Sequence, residues 1–219
     1  MTSIADIVNL EYKPFDIETK ISEVQYFFMD SSYSHFPVLE NGVFLGNIAA
    51  EDAEGFDAEK SIQNYRYTLD GFFVRLSSTY FEVLQIFAKN HSTVVPILDS
   101  KNNYAGFYEQ HDVFKIFSET PFLSNAGKII VVEKDVLNFS ISQIAQIVES
   151  NGAQLLGTFV SESSNSKMQV TLKIGLSNIN EILQAFRRYE YEIVSTHDED
   201  VFINNLKERS EYLEKYMNI

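Results

Sequence analysis

Two stretches of this 219-residue chain are imperfect copies of one another. HFPVLE-NGVFLGNIAAED ends at Asp52 and VVPILDSKNNYAGFYEQHD ends at Asp112. Pro37 answers to Pro96, Gly46 to Gly106 and Asp52 to Asp112, with one residue gained between the Pro and the Gly in the second copy. Upstream, ISEVQYFFMD from Ile21 is aligned with FEVLQIFAKN from Phe81. Such self-similarity means one structural unit made twice, and it limits the folds open to the chain. Two equivalent surfaces brought face to face are also where a ligand would sit.

Each copy reads as β-α-β-β-α. In the first, Asp16 and Thr19 are start signals for a helix carrying Ile21, Val24, Phe27 and Phe28 at helical spacing. A strand HFPVL, an Asn41-Gly42 hairpin turn and a strand VFLGNIA come next, running into an acidic helix start at Glu51-Asp52. The second copy predicts a strand over Phe72–Leu76, a helix over Phe81–Lys89, strands over Val94–Leu98 and Tyr104–Tyr108, and a helix over His111–Ser118. The turn-rich segment PFLSNAG, residues 121–127, reads as a boundary.

Beyond that boundary the order of elements changes. KIIVVE is a β-branched strand, and Ser140–Ser150 presents Ile141, Ile144, Ile147 and Val148 on one face, stopped by Asn151-Gly152. Leu155–Val160 and Met168–Ile174 alternate as strands around a polar loop. A helix over Ile179–Tyr189, with Asn178 as N-cap, leads to a last strand at Glu192–Thr196. β-α-β-β-α-β is the ferredoxin-like split arrangement. A final helix over Val201–Met217 carries Phe202, Leu206, Leu213 and Tyr216 as an apolar stripe. The fold class is therefore α+β, with units expected at 1–62, 63–120, 128–198 and 199–219.

Composition narrows the function. The chain has no Cys, which excludes disulfides and thiolate metal sites and suits a reducing cytoplasm. No signal peptide or bilayer-length apolar run is found, so a soluble, cytoplasmic protein is expected. Net charge is −14, with eight basic against eighteen acidic residues in 1–120 and nine against thirteen in the remainder. That balance disfavours nucleic acid and anionic lipid, both of which bind through phosphate neutralisation. The G-x-S-x-G, P-loop and G-x-G-x-x-G motifs are missing, and His35, His91, His111 and His197 form no metal-ligand spacing. A catalytic role, a metal and a resident cofactor are accordingly not expected.

The paired motifs (apolar-x-Pro, Asn-Gly turn, apolar strand with Gly, then Asp) resemble the cystathionine-β-synthase (CBS) domain, two of which in tandem make a Bateman module. The resemblance covers about residues 1–120. Residues 128–197 look like an ACT domain, and the combination is similar to acetoin-utilisation-type regulatory proteins. It implies a non-catalytic regulatory sensor whose inter-repeat clefts take an adenosyl ligand such as AMP, ADP, ATP or S-adenosylmethionine. It also implies a homodimer and a regulated partner protein.

By position, the ribose-binding role falls to Asp52 and Asp112, since a carboxylate can bridge two vicinal hydroxyls; each would equally complement its helix dipole. The matching adenine-pocket residues are His35, Phe36 and Ile48 in one repeat and Val94, Val95 and Tyr108 in the other, with Tyr33 placed to stack; most would be buried in any sandwich of this type. Arg75 and Lys13 are the cations best placed for a phosphate. The family usually has Ser or Thr three residues before the Asp, where this chain has Ala49 and Glu109. Glu109 would repel phosphate, which points to a neutral adenosyl compound or to a ligand-free interaction scaffold. The ACT-like loop from Asp135 to Ser140 keeps its Asp but has no Gly, which favours assembly over amino-acid sensing.

Overall fold

The computed structural model describes residues 4–195 and divides the chain into two compact units, Met1–Glu119 and Thr120–Ile219. The apolar stripe expected over 199–219 lies outside the described residues.

In the first unit each repeat forms a three-stranded sheet with two helices. The first has β1 (Phe15–Asp16), α1 (Ile21–Asp30), β2 (His35–Glu40), β3 (Val43–Ala49) and α2 (Ala50–Glu54). The second has β4 (Val74–Arg75), α3 (Tyr80–Asn90), β5 (Val94–Leu98), β6 (Tyr104–Glu109) and α4 (Gln110–Ser118). β1 runs parallel to β2 and β4 parallel to β5, while β2–β3 and β5–β6 are antiparallel hairpins. Both hairpins carry a register shift at the same place, Val38/Leu39 and Ile97/Leu98. The first turn uses Asn41 and Gly42, both at positive φ, as the two-residue hairpin requires.

Two expectations need correction. α1 begins after Lys20 without a side-chain cap, because the Asp16 carboxylate accepts the Glu18 amide in its own turn. α3, by contrast, opens with a capping box in which Thr79 and Glu82 satisfy each other's backbone amides. The helices also match at a spacing one residue shorter than the Ile21–Phe81 alignment. Val24 and Val83, both fully buried, hold the same position. The residue gained in the second copy lies after Pro96, so everything before it keeps the Pro37–Pro96 spacing.

The expected boundary at 62/63 does not separate the repeats in space, because they exchange their lead-in segments. Asn9 exchanges two backbone hydrogen bonds with Phe107 of β6, and Asp70 exchanges two with Asn47 of β3. Ile4, Ile7 and Val8 accordingly pack on the second repeat's core, and Tyr65 and Leu69 on the first. The repeat glycines sit at these crossings. A Cβ on Gly46 would stand 2.9 Å from Leu69 Cβ, and one on Gly106 2.6 Å from Val8 Cγ1. A third cluster, Phe36, Val94 and Phe107 with Phe15, Phe27, Phe28 and Tyr33 around it, joins the two repeats.

The second unit has α5 (Pro121–Ser124), β7 (Gly127–Asp135), α6 (Ile141–Ser150), β8 (Leu155–Ser163), β9 (Lys167–Gly175), α7 (Ile179–Arg188) and β10 (Glu192–Ile193). The sheet order β10-β7-β9-β8, antiparallel throughout, is that of a split βαββαβ arrangement. Ile130, Val132, Val170, Leu172 and Ile174 meet Ile144, Val148, Ile182 and Phe186 in one core. The segment read as a boundary contributes to this unit: Phe122 of α5 lies over Gly157 and against Phe159.

Candidate functional site

The two repeats of the first unit meet about an approximate two-fold axis marked by Ser34 and Thr93, which occupy the same repeat position ahead of Pro37 and Pro96. Ser34 N donates to Thr93 Oγ1 (2.9 Å), and Thr93 N donates to Ser34 Oγ (2.8 Å). On either side of this pair lies a cleft, and the two are built from equivalent positions. Their chemistry differs.

The first cleft, about 480 Å³, is floored by Ser34, His35, Ala49 and Ala50 and rimmed by Glu51, Asp52, Asp70, Asn90 and His91. His91 reaches it because it caps α3 in the left-handed conformation (φ 50°). His35 Nε2 lies 3.4 Å from Asp70 Oδ2, and its Nδ1 is 2.9 Å from Ser34 Oγ. Burial holds the His35 imidazole below its ordinary value of 6.5, against the opposing pull of Asp70 and Asp52. In the window just under 6.5 the unfolded chain therefore binds the proton that the native chain refuses, so stability falls as pH drops through it. His35→Gln is expected to shrink the stability lost between about pH 7.5 and about pH 5.5, measured by urea denaturation at each. An equal loss in both proteins would contradict this.

The second cleft, about 150 Å³, is lined by Ser32, Tyr33, Thr93, Glu109, Gln110 and His111. Side chains of the protein occupy most of the space that its counterpart leaves open. Glu109 accepts from Tyr33 OH (3.0 Å) and from the Asn9 side-chain amide, and its second oxygen lies 3.4 Å from His111 Nδ1. His111 Nε2 lies 3.1 Å from Asp112 Oδ1. The Tyr33 ring stacks on Phe36 (5.7 Å, 12°) beside Tyr12, Phe27 and Phe107. Burial, then the bond to Glu109, pushes the Tyr33 hydroxyl well above its ordinary value, so it stays a donor.

No family model and no curated protein matches the chain. Solved structures do. The chain is similar to a CBS domain pair/ACT domain protein from Thermotoga maritima, at 19% identity over 54% of this chain and 98% of that one, TM-score 0.49. It is similar to the CBS domains of a transcriptional regulator from Streptococcus pneumoniae, at 19% identity over 52% and 98%, TM-score 0.46. A third is CBSX2 in complex with AMP, at 11% identity over 52% and 95%, TM-score 0.45. Identities this low say nothing of ligand or partner.

The expected site residues are thus divided. Asp52 and His35 come together in the open cleft, while Tyr33 and Asp112 belong to the filled one. Phe36, Ile48, Val94, Val95 and Tyr108 are fully buried and line neither cleft. Their side chains are needed between the sheets and helices, where Ile48 joins the first core, Val95 and Tyr108 the second, and Phe36 and Val94 the joining cluster. Arg75 also lies outside the clefts: its guanidinium donates to Asp99 O (2.6 Å) and lies over the Phe73 ring. Lys13 is exposed and lines neither cleft.

Sequence reasoning missed Ser34, Thr93, Asp70, Asn90 and His91. Ser34 and Thr93 were detectable as hydroxyl residues three places before each repeat proline. Asp70 and His91 were not, because only the exchange and a left-handed cap bring them to the cleft.

In the second unit the loop after β7 borders a recess of about 130 Å³ lined by four carboxylates, Glu133, Asp135, Glu190 and Glu192, and by Lys134 and Lys167. Lys167 pairs with Glu133 (3.1 Å) and Glu192 (3.4 Å). Lys134 is buried, donating to Tyr189 O (2.8 Å) and Gln143 Oε1 (3.2 Å). Among the described residues no group of three or more His, Asp or Glu side chains is arranged to hold a metal ion. None of the described helices is long and apolar enough to cross a membrane.

Proposed function

We propose that the first unit is a CBS-type pair acting as a non-catalytic sensor, with an adenosyl ligand in the cleft of Ser34, His35 and Asp52. The observation that carries this is the inequality of two equivalent clefts: one is largely occupied by the chain's own side chains, and the other is left open with a carboxylate at its rim. About 480 Å³ is within the range of small-molecule sites. Asp52 has no ion-pair partner among the described residues, so its oxygens remain to accept ribose hydroxyls. Ligand binding would favour one arrangement of the exchanged repeats over another, through differential affinity for the two. The readout is the ACT-like second unit or a regulated partner, in a cytoplasmic homodimer.

Calorimetric titration with AMP, ADP, ATP and S-adenosylmethionine tests the reading. At least one is expected to bind, and Asp52→Ala should weaken it by about tenfold or more, the loss of hydrogen bonds to a charged group. The melting temperature of the ligand-free variant should change little.

The filled second cleft favours one competing reading, a ligand-free dimeric scaffold that docks an enzyme. Failure of all four compounds to bind, with Asp52→Ala leaving partner binding intact, would select it.

A further inference from the structure

Tyr33 beside the second cleft and Ser92 beside the open one hold the same repeat position, four residues ahead of Pro37 and Pro96. Their surroundings differ as they do. The Tyr33 ring lies 5.7 Å from Phe36 at an interplanar angle of 12°, 5.9 Å from Phe107 edge-on and 6.0 Å from Phe27. The residues equivalent to these three are Val95, Asn47 and Ile86, so only one of the two repeats builds an aromatic platform. On that platform the Tyr33 hydroxyl donates to Glu109 Oε1 (3.0 Å), a group whose counterpart is Ala49. A flat ring stacked on an aromatic face, with a donor on its edge reaching a carboxylate, is how a protein holds an aromatic ligand. Here the ring belongs to the chain.

We infer that Tyr33 is an internal pseudo-ligand, and that the second cleft is a latent site for an aromatic heterocycle with a hydrogen-bond donor on its edge. The space left around Tyr33, about 150 Å³, falls short of the roughly 300 Å³ at which small-molecule sites begin. The open cleft, with Ser92 and Ala49 at the equivalent positions, has about 480 Å³. Taking the ring away leaves Phe36 and Phe107 to stack on a ligand. It also vacates one acceptor position on Glu109 Oε1, while Asn9 keeps the other and His111 stays beside Oε2. Tyr33 thereby sets how many ligands one chain takes, and a ligand enters the second cleft only in exchange for the ring. The choice of adenosine as probe rests on the reading of the open cleft as a nucleoside site; the inference itself concerns the other cleft.

The test is calorimetric titration of the full chain with adenosine. Wild type should show one site per chain and Tyr33→Ser two, of which a further Asp52→Ala removes one. Tyr33→Phe, which keeps the ring, should stay at one. Adding Glu109→Ala to Tyr33→Ser should weaken the second site by roughly tenfold or more, as for a lost hydrogen bond to a charged group. Circular dichroism checks that each variant is folded. If Tyr33→Ser is not, Tyr33→Val takes its place with the same expectation, since valine keeps an apolar contact on Phe36 and is too short to reach Glu109.

One site in wild type and still one in the folded variant would overturn the latent site while leaving the open cleft as read. Two sites in wild type or in Tyr33→Phe would overturn the ring as the occupant. No site in wild type and one in Tyr33→Ser would support the latent site and contradict the reading of the open cleft. Silence from every variant would overturn both.

Discussion

Replacing Gly106 with alanine is expected to destabilise the first unit by about 2–4 kcal/mol, the sum of overpacking and an unfavourable backbone conformation. Gly106 lies at φ 124°, in the region that L side chains avoid. A Cβ there would stand 2.6 Å from Val8 Cγ1, 2.9 Å from Asn9 O and 3.0 Å from Leu10 Cδ2. The crowding atoms belong to the exchanged lead-in, whose backbone bonds to Phe107 lie one residue away. Relief must therefore come from lifting that lead-in off the second repeat. Hydrogen exchange at Asn9 should rise along with the fall in stability. Gly46→Ala should cost less, since its φ of 159° lies at the edge of the region that L side chains avoid and its nearest contacts, Leu69 Cβ at 2.9 Å and Asp70 O at 3.1 Å, are less close. Equal urea midpoints for wild type and Gly106→Ala would contradict the exchange as the reason for the repeat glycines.

Phe36→Ala is expected to cost about 3–5 kcal/mol, as for a large aromatic removed from a closed core. Its ring is fully buried and lies 4.5 Å from Phe27, 5.5 Å from both Phe15 and Phe107, and 5.7 Å from Tyr33. These neighbours come from β1, α1, β6 and the segment before β2, so no single rotamer change refills the space. The loss should also remove the platform beneath Tyr33 and loosen its bond to Glu109, opening the filled cleft. Phe114→Ala is the control: its ring is 52% exposed, and the change should stay within about 0.5 kcal/mol. Chemical denaturation of both variants checks the pair, and similar losses would contradict the placement of the joining cluster.

The duplicated order of elements was legible because its signals are local. Pro37 and Pro96, the Asn41-Gly42 turn and the alternation of VFLGNIA each act over a few residues. The split arrangement of the second unit was legible for the same reason, from KIIVVE and the two alternating strands. The exchange of lead-ins was not. Asn9 pairs with Phe107 across the whole unit, and a short segment carries no pattern naming its sheet. The site suffered from the same limit. Asp52 could be placed from its position in the repeat, but Asp70 reaches the cleft only through the exchange. Phe36, Val94 and Tyr108 were assigned to a pocket by position, yet apolar side chains between packed layers bury themselves first. The inequality of the clefts was half legible in Ala49 against Glu109. That Glu109 would find Tyr33, Asn9 and His111 as partners required the fold.

The central claim is that only one of two equivalent clefts is left for a ligand. Calorimetric titration of wild type, Asp52→Ala and Asp112→Ala with adenosine, which carries no charge to complicate the comparison, tests it most directly. One site per chain is predicted, lost in Asp52→Ala and unchanged in Asp112→Ala. Two sites per chain, or binding that survives Asp52→Ala and disappears in Asp112→Ala, would contradict it.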